Sequence, residues 1–92
     1  MIVRILGEGQ LDVPAGSLDE LSRLDVAVQA ACGAEDSVAF GDAFTALLAQ
    51  VRAVGTQRPD GAIEPSDLVL PSADASLAEV KELVTEEGLI PG

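Results

Sequence analysis

Two apolar stripes at helical spacing, separated by only a few residues, limit this chain more than any other feature. Leu18, Leu21, Leu24, Val28 and Ala31 share one face of a helix that opens after Ser17. Phe40, Phe44, Leu47, Val51 and Val54 share one face of a second helix, at intervals of four, three, four and three. So short a join predicts an antiparallel pair of helices. The flanking residues agree with that reading. Ser17 to Glu20 (SLDE) has the form of a capping box, Gly33 is placed to stop the first helix, Asp36 to cap the second and Gly55 to end it.

The rest of the chain reads as short strands and one more helix. IVRIL (2–6) is β-branched and aliphatic, with Arg4 pointing to one face. Gly7 and Gly9 of the following GEG can take the positive φ of a tight turn, and QLDV (10–13) alternates as a half-exposed partner strand should. TQRPDGAIEPSD is the loop-like centre, with Pro59-Asp60-Gly61 a turn signal. LVL (68–70) is a candidate third strand. Ser76 to Glu79 (SLAE) is a second capping box, opening a helix with Leu77, Val80, Leu83 and Val84 inward and ending at Glu86, Glu87 and Gly88. The fold expected is α+β: an N-terminal β-hairpin, three-stranded if residues 68–70 join it, packed against three α-helices. Residues 1–92 form one domain on this reading.

Charge and composition remove whole classes of function. Sixteen acids against five bases give a net charge of −11, and Arg4, Arg23, Arg52, Arg58 and Lys81 are scattered. A phosphate backbone needs clustered cations, so nucleic-acid binding is not expected, and the same field disfavours anionic lipid. An electropositive protein partner fits it. No run approaches the ~20 apolar residues of a membrane-spanning helix, and the first ten residues lack the form of a signal peptide. Cys32 is the only cysteine and reads as a buried or half-buried thiol, which suits a reducing cytoplasm.

The chain also has no histidine, so the commonest general base and metal ligand are missing. No Ser–His or Cys–His arrangement can be built, and one thiol is far short of a structural zinc site. The acids in first turns (Asp19, Glu20, Asp36 and Glu79) are explained by the helix dipole. DGAIEPSD (60–67) lacks the alternating oxygen ligands of an EF-hand, and the Glu8 turn carries an acid where a phosphate would sit. No catalytic, cofactor or metal residue is expected, and the protein reads as a non-enzyme. A small-ligand site at the Asp60–Asp67 loop or the Glu8 turn is the minor rival.

MIVRILGEGQ at the start and SDLVLPSADASLAEVKELVTEEGLIPG at the finish resemble the PspA-associated (PspAA) domain family over the full length of the chain. Leu11 departs from the aromatic residue expected after GEGQ. The resemblance implies a non-enzymatic component of a cell-envelope stress response. Its partner would be a PspA-like coiled-coil protein, and it would be cytoplasmic, reaching the inner membrane face through that partner. No binding residue carries over from the family. The aliphatic pair Leu89 and Ile90 either closes the core beside residues 68–70, docks on the hairpin, or binds a partner together with Glu86 and Glu87. The free edges of the short strands leave a homo-oligomeric structural module, such as a homodimer, as the alternative function.

Overall fold

Alternation decides which face of the hairpin is buried. In β1 (Ile2–Ile5), Val3 and Ile5 are fully buried while Arg4 between them is exposed. In β2 (Gly9–Asp12), Leu11 is buried and Asp12 exposed, with Val13 returning to the core just beyond the strand, but the expected alternation is broken at Gln10, which is buried too and bonds to Ser66. The two strands pair antiparallel, Val3 facing Leu11 and Arg4 facing Gln10. Gly7 and Gly9, at φ 86° and 110°, supply the turn. The computed structural model describes residues 1–59 and 65–83.

After Pro14 a short 3-10 turn (Ala15–Ser17) leads into α1 (Leu18–Ala34). The expected capping box at Ser17 does not form. Ser17 already has helical angles (φ −91°, ψ −6°), and its hydroxyl makes no capping bond. A residue inside the helical turn cannot adopt the extended geometry an N-cap needs. The helix also outruns Gly33, ending one residue later. Glu35 takes the left-handed conformation (φ 53°), its amide reaching the carbonyls of Ala31 and Cys32, and the Asp36 amide reaches Ala31 at 3.1 Å. That is a Schellman closure built on glutamate, where glycine is usual.

Asp36 does cap α2 (Ser37–Val54), accepting the Ala39 amide at 3.1 Å. Phe40, Phe44, Leu47 and Val51 are buried as the spacing predicts, Leu48 joins them, and Val54 is half-buried. Phe40 and Phe44 stack with ring centroids 5.4 Å apart. From α1, Leu21, Val28, Ala31 and Cys32 are buried, and Leu18 and Leu24 are half-buried. The two helices pack along their lengths as the hairpin expected.

The sheet has four strands, one more than the sequence suggested. Gly55 leaves α2 in an extended conformation (ψ 152°) and sends the chain straight into β3 (Thr56–Gln57), which pairs antiparallel with β2. β4 (Leu68–Leu70) lies parallel to β1, giving the order β3-β2-β1-β4. In β4, Leu68 and Leu70 turn inward and Val69 outward. The Asp67 carboxylate accepts the Ile2 amide at 2.8 Å, so one acid of the central loop serves the start of the sheet. Ser76 does cap α3 (Leu77–Leu83): its Oγ accepts the Glu79 amide at 3.2 Å and donates to the Glu79 carboxylate at 3.3 Å. Val80 of α3 is fully buried, and one cluster of buried side chains joins the inner sheet face to all three helices. The expected helix end at Glu86 to Gly88, the Leu89–Ile90 pair, and most of the Asp60–Asp67 loop lie outside the described residues.

Candidate interaction surface

The hairpin turn is fastened to the helices by one ion pair. Arg52, in the last turn of α2, donates from Nε and Nη2 to the two carboxylate oxygens of Glu8, at 2.7 and 2.6 Å. This fork geometry is the strongest form such a pair takes, and a cation in a final turn also suits the helix dipole. The hydrogen bonds from Arg52 hold the Glu8 carboxyl below its ordinary value of 4.5. Glu8 is thus occupied structurally. The depressed carboxyl contributes stability that is fully present above its ordinary value and is lost as pH falls through its lowered folded value. Arg52→Gln should therefore lower stability by about 0.5–1 kcal/mol near neutrality, as a partly exposed pair allows. Melting curves of the two proteins should converge once the pH drops below the carboxylate range.

A shallow depression of about 350 Å³ lies between α1 and α3, lined by Gln29, Cys32, Gly33, Glu35 and Lys81. Lys81 Nζ donates to Glu35 Oε1 at 2.8 Å, joining α3 to the closure of α1 and holding the Glu35 carboxyl down. Burial pushes the Cys32 thiol up, the opposite of what a nucleophile needs. Asp25, only 1% exposed, accepts a hydrogen bond from Gln29 at 3.3 Å. The sequence reading did not single it out. Its position, four after Leu21 and three before Val28, puts it on the inward stripe, and that spacing was the available signal.

The outer face of the sheet divides into two halves. Around β2 and β3 it is polar and internally bonded. Gln10 donates to Ser66 Oγ at 2.9 Å, and Asp12 lies 3.7 Å from Arg58 and 3.8 Å from the Met1 ammonium. Around β1 and β4 it is apolar with one cation: half-buried Ile2, exposed Arg4, Leu6 at 44% exposure, and Val69 at 51%. Arg4 stands directly beside Val69 in the parallel register and Gln10 in the antiparallel one. Two of the four large hydrophobic side chains exposed among the described residues meet here. The sequence had placed Arg4 on one face. It had not placed Val69 next to it, because nothing local fixes which side of the hairpin β4 joins.

The residues first expected to meet a partner, Glu86, Glu87, Leu89 and Ile90, lie outside the described residues. Among the described residues no three His, Cys, Asp or Glu side chains gather as a metal would require, and no helix is long and apolar enough to cross a membrane. No curated protein and no solved structure matches the chain. A family model does match, and it spans the strands, the helices and the surface just described: the model for PspA-Associated protein (PspAA) covers residues 1–92, so the chain belongs to the PspAA family.

Proposed function

We propose that this protein is a non-enzymatic adaptor or regulator that acts with a PspA-like coiled-coil protein in the response to envelope stress. The observation that carries the proposal is the family match along the whole chain, whose name speaks of association with PspA. The chemistry of the chain supports it. Without histidine, with its one thiol buried and raised, and with Glu8 and Glu35 held by cations, the described residues offer shape and charge before reactivity. A net charge of −11 favours an electropositive protein surface over lipid or nucleic acid, so contact with the membrane would run through the partner. The protein would then reside in the cytoplasm and reach the inner membrane face only in complex.

Purification of the tagged full-length chain from its native cell, with and without envelope stress, tests this directly. A PspA-like coiled coil should co-purify at a fixed ratio. Its absence under both conditions would remove the proposal. A complex made only of this chain would point instead to a homo-oligomeric structural module.

A further inference from the structure

We infer that the apolar half of the outer sheet face, centred on Arg4 with Ile2, Leu6 and Val69 around it, receives an amphipathic helix of the partner, one acidic residue of that helix meeting Arg4. The inference rests on the adaptor reading and adds to it where the partner binds and with what chemistry. The core covers only one face of the sheet. On the other, Ile2 and Arg4 alternate along β1, so their side chains stand about 6.6 Å apart, and exposed Leu6 follows in the turn just beyond the strand. That step is close to the ~5–6 Å between residues three or four apart on a helix, so an apolar helical stripe can lie along the strand.

Charge selects the occupant. Arg52, Arg58 and Lys81 each face an acid within 4.0 Å, at Glu8, Asp12 and Glu35. Arg4 has no such acid among the described residues. The two carboxylates diagonal to it in register are engaged elsewhere: Asp12 by the Met1 ammonium and Arg58, Asp67 by the Ile2 amide. Arg23, exposed on α1, likewise has no such acid among the described residues, and of these two cations Arg4 is the one on the outer sheet face, with Ile2, Leu6 and Val69 around it. An acid arriving on an apolar helix face would pair with Arg4 as water is excluded. A second copy of this chain would bring the same cation against it, which is why a helix carrying an acid fits better.

The test measures binding of the purified PspA-like protein to the full-length chain by titration calorimetry, with Arg4→Glu, Val69→Asp and the milder Arg4→Gln compared with Arg23→Glu. The last makes the same charge change on an exposed position of α1. All three sites are exposed, so the melting points of the four variants should stay near that of the wild type, and this is checked first. Arg4→Glu and Val69→Asp should weaken binding by about tenfold or more, as central interface positions do, and Arg4→Gln by less, with Arg23→Glu within about twofold. Wild-type binding that survives Arg4→Glu and Val69→Asp within about twofold would overturn the docking face and leave the adaptor reading intact. No binding by the wild type would remove both. Self-association abolished by Arg4→Glu, seen by sedimentation while PspA-like binding is unchanged, would give the face to a second copy and overturn the inference.

Discussion

Phe44→Ala should lower the melting temperature by about 15 °C or more, at ~4–8 °C for each kcal/mol in a domain of this length. Phe44 is 2% exposed and stacks on Phe40 at a centroid distance of 5.4 Å. Truncating a buried phenylalanine costs about 3–5 kcal/mol, the lost transfer free energy plus a cavity that neighbours fill only in part. At roughly 0.05–0.15 kcal/mol per residue, the 92 residues hold about 5–14 kcal/mol in all. The substitution therefore removes a large share of the total. Only two aromatic side chains exist in the chain, so no third ring can move into the gap. Phe44→Leu keeps an apolar side chain of similar reach and should lose only about 1–1.5 kcal/mol. Val38→Ala, at a site 78% exposed on the same helix, should change almost nothing. Urea unfolding of the three variants would show the ranking. A fall of only a few degrees for Phe44→Ala would mean that the paired rings do not organise the core.

The helices were legible because their signal is local. Five apolar residues at intervals of three and four leave one buried face, and α2 presents that face from Phe40 to Val51. Capping was legible only where geometry followed the motif. Asp36 and Ser76 cap as their spacing says, whereas Ser17 lost its role because the turn after Pro14 drew it into helical angles. Gly33 misled for a related reason. The turn that closes α1 falls two residues later, at Glu35, and the Lys81 contact that holds the Glu35 side chain comes from a helix 46 residues away. β3 escaped because a two-residue, exposed strand leaves no hydrophobic pattern, and only its pairing with Asp12 and Leu11 reveals it. The outer face is a non-local fact of the same kind. Alternation in β1 sends Arg4 outward, but the patch exists only once β4 pairs parallel to β1 and brings Val69 alongside.

Gly55→Val should cost about 2–3 kcal/mol, and Gly55→Ala about 1–2 kcal/mol. The backbone there (φ −86°, ψ 152°) is open to any residue, so the reason is space rather than conformation. A Cβ would stand 2.7 Å from the Val51 carbonyl oxygen and 3.0 Å from Cβ of Leu11. The carbonyl cannot step aside, because the Gly55 amide itself bonds to it at 2.9 Å to close α2. Leu11 cannot either, being a buried residue of a central strand. Alanine does restrict the unfolded chain, a gain of about 0.4–1 kcal/mol, but the clash with fixed backbone exceeds it. Relief must come from separating the end of α2 from β2, and β3, which begins at the next residue, moves with it. Hydrogen exchange distinguishes this from a general loss of stability. The Arg58 amide, which donates to the Gln10 carbonyl at 2.9 Å, should lose protection in Gly55→Ala well beyond the global change, while amides of β1 and β4 follow it. Uniform loss across the sheet, or alanine stabilising the protein, would show that α2 and β2 have room between them and that the glycine is not needed for their approach.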